Sequence, residues 1–406
     1  SELINTKSGI EINGSRSVEG QNLGYFVRGG NNRQVLVLID GIQVNDPSIV
    51  ANDFDLRLLD LNTIESIEII KGAASTLYGN AAATAVINIT TKKVSKDTIS
   101  GSFLSVVGTN QTQDDLNYNG SSFTNNVSVN GTANKVTYLA SFGNRYVDGI
   151  SAAKSDNPEI DPFSRFNTNL KIGYEISENI NITAFGSYDK FKTDIDGFPA
   201  PTYTFADTND EYISQQKRVG IYPKFTYKNG SFQVNAAFSK IDRETISAFS
   251  TVNEAESFVL DAFNKYTFND KFYTIVGLNY GDYKSLFAED ESYTTTDPYL
   301  NVVYVSDFGL KLGASYKTTQ KFSDFEFENT YLDGSSTKSK FNMDYPAILS
   351  LGIGYSTNSF DLALDFRRVD YENTDGFSKT GWTQTASVAG FGWENISILS
   401  AGIQYK

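Results

Sequence analysis

Beyond about residue 96 the chain becomes a long succession of apolar–polar alternations. In SFQVNAAFSK, Phe232, Val234, Ala236 and Phe238 fall on one face, while Gln233, Asn235 and Ser239 fall on the other. In SFDLALDFR, Phe360, Leu362, Leu364 and Phe366 alternate with Asp361, Ala363, Asp365 and Arg367, and Ile180, Ile182 and Ala184 alternate with Asn181 and Thr183. A strict period of two gives each segment one apolar and one wet face, the pattern of β-strands. The breaks alternate as well. Tight turns are predicted at 131–135, 177–179, 228–231, 268–271, 306–308 and 356–359, and long polar loops near 147–163, 194–211, 286–293, 320–344 and 372–392.

A two-sheet sandwich would show the same alternation, so length and connectivity decide. The predicted strands run roughly 11–16 residues, longer than the usual five or six of globular sheets. Long strands joined by short turns at one end and long loops at the other are the signature of a transmembrane antiparallel β-barrel. The bilayer requires every backbone polar group to be paired, and a closed barrel meets that demand without free edges. Tyr188, Phe191, Tyr266, Phe268, Tyr283 and Phe287, near strand ends, are candidates for interfacial girdles. About fourteen strands are countable after residue 96.

Composition narrows the chemistry. The 406 residues include 29 Phe and 24 Tyr but no Cys and no His. Disulfides, thiolate metal sites, Ser-His-Asp triads and His-zinc centres are therefore excluded, leaving only carboxylate, Lys or Tyr chemistry to an enzyme; none is expected. Mean hydropathy is −0.31. No apolar run reaches the 18 or so residues of a membrane-spanning helix. The formal charge of −14 argues against nucleic acid as a partner, since phosphate neutralisation needs a basic surface.

The first 96 residues read differently. GYFVRGG, VLVLIDGIQVND and ESIEIIKG give short strands with Gly-containing breaks. AASTLYGN suits a one- or two-turn helix closed by Gly79, and AVINITTKK returns as a strand. The expected organisation is an α+β unit over residues 1–96, N-terminally incomplete, followed by a barrel over 97–406.

The ordered motifs VRGGN (27–31), LIDGIQVN (38–45), IESIEIIKGAASTLYG (64–79) and AVINITTKK (85–93) resemble the plug of TonB-dependent outer-membrane receptors, in particular the cobalamin- and siderophore-receptor type. One departure is Ala81, Ala82, Ala83 and Thr84 where the family has Gly-Gly. The resemblance implies a bacterial outer-membrane protein with a 22-strand barrel, its plug folded in the lumen. It also implies energy delivered by TonB, a small-molecule ligand and, in some members, a surface lipoprotein partner. No leader and no TonB-binding box are legible here. By carry-over, the outward plug loops give ligand contacts at Asn13, Ser15, Arg16, Ser17, Glu19 and Gln21, and at Asn45, Asp46, Ser48, Asn52 and Asp53. Arg28 and Lys71 are implied to dock the plug against acidic barrel walls. In SDNPEID, Asp156, Glu159 and Asp161 offer oxygen-only ligands that suit Ca²⁺ but lack EF-hand spacing, so a plain acidic loop stays open as the alternative.

Residues 308–406 resemble a second family, the long-chain fatty-acid and aromatic-hydrocarbon channels, through GFGW (390–393) and the DFR of residues 365–367. Such channels have fourteen strands and pass hydrophobic ligands without energy input. The sequence therefore leaves two functions open, energised import of a scarce nutrient and passive transfer of hydrophobic molecules, and allows a composite chain from about residue 308.

Overall fold

The computed structural model describes residues 9–12, 20–22, 24–27, 30–49, 52–71, 84–109, 120–153, 160–286, 290–382 and 388–405. In the N-terminal unit, β1 (Ile10–Ile12) pairs with β2 (Tyr25–Val27), and a second sheet is built from β3 (Val35–Ile39), β4 (Ile42–Val44), β5 (Ile64–Lys71) and β6 (Ala85–Thr91). Its order is β4-β3-β6-β5, with β3 and β6 parallel and the other pairs antiparallel. The apolar runs VLVLI and AVINI place these two strands at the sheet centre, where both faces are covered. Val35, Val37, Ile87 and Ile89 pack on one side; Leu36, Leu38 and Val86 pack on the other. Asp40 and Gly41 close the β3–β4 hairpin with φ of 52° and 80°, the two left-handed residues that a type I′ turn requires. The helix expected over AASTLYGN lies outside the described residues.

The remainder is one large antiparallel sheet. Its strands are β7 (Ser100–Gly108), β8 (Ser122–Ala133), β9 (Val136–Val147), β10 (Phe163–Ser177), β11 (Ile180–Gly197), β12 (Ala206–Tyr227), β13 (Gly230–Ile246), β14 (Thr251–Asn269), β15 (Phe272–Leu286), β16 (Asp290–Val305) and β17 (Leu310–Lys317). After β17, the short β18 (Lys321–Phe322) pairs back on β16, and β19 (Phe325–Thr330) with β20 (Ser336–Phe341) forms a separate hairpin. The sheet continues through β21 (Ala347–Ser356) and β22 (Phe360–Asp370); a small hairpin of β23 (Thr380–Trp382) and β24 (Val388–Phe391) then precedes β25 (Ile396–Tyr405). The main path from β7 to β25 runs through fourteen strands, each beside its predecessor along the path.

Burial settles the sandwich alternative. In β13 the apolar Phe232 and Phe238 are 45% and 41% exposed, whereas Asn235, Ser239 and Arg243 are at most 7% exposed. In β12, Val219 and Ile221 face outward while Ser214, Gln216 and Arg218 are buried. An apolar outside around a polar inside is the inverse of a water-soluble sandwich and suits lipid around a wet lumen.

Turns between strands fall where predicted, but several expectations change. The loop predicted at 286–293 shortens because Leu286 pairs with Asp290 and Tyr283 with Tyr293, and those at 320–344 and 372–392 carry hairpins of their own. The loop predicted at 194–211 shrinks to 198–205, because Asp194 pairs with Glu211 and Ile195 with Asp210; β12 reaches 22 residues in consequence. Phe191 and Tyr283 are not girdle residues. They are 1% and 6% exposed and point inward, leaving the short-turn rim to Tyr227, Tyr266, Phe268 and Phe272, whose rings pack in succession, stacked, edge-on and tilted; Phe287 lies outside the described residues. Among the described residues β7 pairs only with β8 and β25 only with β22. All of β25, and all of β7 except its first and last residues, is exposed.

Candidate functional site

The plug sits against the inner face of β9–β16, and charge holds it there. Arg243 of β13 forms an ion pair with the Asp46 carboxylate of the plug and donates a hydrogen bond to the Tyr212 hydroxyl; its guanidinium also lies 3.6 Å from Asp55. Arg57 pairs with Asp55 at 2.7 Å, donates to the Gly20 carbonyl at 2.7 Å, and stacks 4.3 Å above the Phe191 ring. Planar guanidinium groups suit this combination of bidentate pairing and ring stacking. Burial pushes the Asp46 carboxyl above the usual range, with Arg243 and Ser48 acting against it. Burial also acts to raise Asp55, but Arg57 and then Arg243 outweigh it and hold that carboxyl below the ordinary value.

Further contacts follow the same polarity, carboxylates on the plug and cations on the wall. Lys171 of β10 meets Asp40, which also accepts hydrogen bonds from the backbone and hydroxyl of Thr91. Arg165 lies 3.7 Å from Asp60. Gly143 of β9 makes room there, since a Cβ at that position would stand 2.5 Å from an Asp60 oxygen. Asn167 donates to the Leu58 carbonyl at 2.8 Å and Ser285 to the Pro47 carbonyl at 2.8 Å. Arg28 and the side chain of Lys71, implied as the docking groups, lie outside the described residues.

Beside this charged contact a cleft of about 100 Å³ separates the plug from β13–β16. From the plug it is lined by Asn32, Gln43, Asn45, Asn52 and Asp53. Asn52 adopts φ of 52°, a left-handed conformation that Asn tolerates. Its side chain thereby bridges Asn45 and the Tyr293 hydroxyl, each at 3.0 Å. Asp53 accepts from Asn32 at 2.6 Å. The facing wall carries a lateral row at one height: Asn235 is in register with Asp261, Asp261 with Asn279, and Asn279 with Asp297. Tyr299 donates to Asp261 at 2.9 Å, and the Lys317 ammonium sits 2.7 Å from Asp297 Oδ2.

Of the residues expected to touch ligand, Asn45, Asn52 and Asp53 therefore line one cleft. Asp46 and Ser48 do not. They are 1% and 0% exposed, closed off by Arg243 and by the Ser48 amide and hydroxyl bonding Asp46. Asp46 is instead paired with the wall through Arg243, as a buried carboxylate without a cation would be costly, and Ser48 supports that pair. Gln21 is exposed; Asn13, Ser15, Arg16, Ser17 and Glu19 lie outside the described residues. So do Asp156 and Glu159, whereas Asp161 is buried, with Asp196 near enough to raise its pKa after burial itself. Among the described residues no group of three or more acidic side chains is placed to hold a metal ion. Sequence reading missed Arg57, Arg243 and the wall row. Asn235 was legible as one of a polar face; its neighbours in the row were not.

A polar-lumened barrel wall with an N-terminal unit docked inside by buried ion pairs defines a class, the plugged outer-membrane barrels. Residues 1–86 match the TonB-dependent receptor plug domain, so the chain carries the plug of that family within a wall of the family's fold. Over 220 residues it is 29% identical to a vitamin B12 transporter of Vibrio vulnificus (strain CMCP6), covering 54% of this chain and 31% of the relative. Over 93 residues it is 42% identical to a vitamin B12 transporter of Vibrio cholerae (strain M66-2), covering 22% and 14%. The chain thus spans about a third or less of these relatives. Among solved structures it resembles the siderophore receptor PirA of Acinetobacter baumannii, with a TM-score of 0.70 at 14% identity over 98% of this chain and 64% of that one. It likewise resembles the ferric yersiniabactin receptor FyuA of Yersinia pestis, with a TM-score of 0.69 at 14% identity over 100% and 66%. That coverage includes residues 308–406, which continue the same sheet, and the expectation of a separate channel-type segment finds no support.

Proposed function

We propose that this chain acts in TonB-energised uptake of a scarce nutrient, of cobalamin or iron-chelate type, across the bacterial outer membrane. The observation that carries the reading is the seating of the plug: a polar, ion-paired domain fills the lumen, so passage requires that those contacts be rearranged and hence an input of energy. The plug match and the identity to vitamin B12 transporters support it. The test is accumulation of cyanocobalamin and of ferric citrate by cells expressing the protein, before and after the proton gradient is dissipated. Surface binding that persists while accumulation stops is the expected result. Accumulation that continues without the gradient overturns the proposal.

A further inference from the structure

The cleft has an imbalance of hydrogen-bonding groups. Asp297 is 1% exposed and Gln320 5% exposed, and both line it. Among the described residues, Asp297 Oδ1 and Gln320 Oε1 have no hydrogen-bond partner. Both are acceptors. A buried acceptor without a donor costs roughly 1–3 kcal/mol, so each of these atoms calls for an N–H or O–H from whatever enters. The adjoining row sharpens the demand. Asp261 and Asp297 alternate with Asn235 and Asn279 along four neighbouring strands, and Asp53 closes the cleft from the plug side. Three carboxylates thus face one cleft whose lining holds a single cation, the exposed Arg33; Lys317, outside the lining, pairs with Asp297 at 2.7 Å and balances its charge, which leaves Asp53 and Asp261.

We infer that the cleft recognises a ligand group carrying several N–H donors, a cluster of primary amides or an ammonium, and disfavours free carboxylates. An anionic chelate would bring like charge against Asp53 and Asp261 and would leave the two buried acceptors unmet. A donor-bearing group satisfies both acceptors and adds charge-assisted hydrogen bonds to the row. This inference rests on the uptake reading for its physiological meaning but is tested without energised cells.

The experiment is equilibrium binding to the purified full chain in detergent, with three probes: cyanocobalamin for neutral primary amides, a ferric trihydroxamate bearing a free ammonium, and ferric citrate for carboxylates. One or both donor-bearing probes are expected to bind at least roughly tenfold more tightly than ferric citrate, the worth of about one unmet buried hydrogen bond; which of the two does so identifies amide or ammonium. Gln320→Leu should weaken the preferred probe by about the same factor. Asn279→Lys, which sets a cation between Asp261 and Asp297, should narrow the preference against ferric citrate. Retention of native far-UV circular dichroism shows that each variant is folded. Ferric citrate binding equally or better, or none of the probes binding, overturns the inference. If ferric citrate is also accumulated in a gradient-dependent way, the uptake reading stands while the ligand class falls.

Discussion

Arg243 is the residue on which plug docking turns. It contacts two plug carboxylates and a wall tyrosine from a nearly solvent-free position. Truncating one member of such a group strands the others: Arg243→Met should cost about 3–5 kcal/mol of docking stability. Protease cleavage of the plug at lower denaturant is the readout, and unchanged cleavage would refute the role. Arg243→Lys should recover only part of the loss, because an ammonium cannot reproduce the planar fork. Acid provides an independent probe. Asp55 has its folded pKa depressed, so its contribution is complete above the ordinary carboxylate value and is lost as pH falls below about 4 through the folded pKa. Asp46 is shifted the other way, so its contribution is present at acid pH and fades as pH rises through its folded value. Subtracting the profile of Asp55→Asn from that of the parent isolates the first effect. The difference should be flat from pH 7 to about 5 and then fall; a difference that grows with acidity would contradict the assignment. None of this was legible in the sequence. Asp46 stood in a predicted loop and looked like a ligand contact, because loop residues facing a lumen and loop residues facing a cation read alike until the wall is in place.

At the scale of elements, what could be read was what local chemistry fixes. The Asp40-Gly41 hairpin, the β-branched centre of the plug sheet and the polar inner face of β13 all follow from side-chain type and period. Register was harder to read, even where a tight turn was recognised. The turn at residues 270–271 alone would set Asp261 opposite Tyr280; a bulge between Thr267 and Asn269 shifts the ladder by one and brings Asp261 opposite Asn279, so the FNDK signal located the hairpin but not this pairing. Asn279 and Asp297 are joined around residues 287–289, where sequence supplies no hinge point. Strand ends were underestimated at 194–211 for a related reason. Polar residues beyond the bilayer carry no apolar alternation, yet the ladder persists between β11 and β12. The pairing pattern makes its own prediction. Interior strands β11–β14 have two neighbours each, whereas β7 and β25 have one among the described residues. Amide hydrogen exchange in detergent should therefore be fastest in β7 and β25 and slowest in β12 and β13. Uniform protection across the sheet would mean that both edges are paired.

For the whole molecule, the arrangement combines two units held by different forces, a wall and a filling. The wall is held by backbone ladders that no single side chain controls; the plug is held by a handful of charges, chiefly Arg243 of β13 and Arg165 and Lys171 of β10. The cleft adjoins those charges, with Asn45 in one and Asp46 in the other. The wall row then has a consequence for what the molecule can measure. Asp261 and Asp297 belong to strands two places apart, which sets them roughly 9.5 Å from each other across the sheet. Because hydrogen-bonded strands cannot drift closer or further, that interval is as rigid as the sheet itself. On the donor-recognition inference, two anchoring points at a fixed pitch would act as a gauge, sorting a solute by how far apart it carries its donors as well as by whether it carries them.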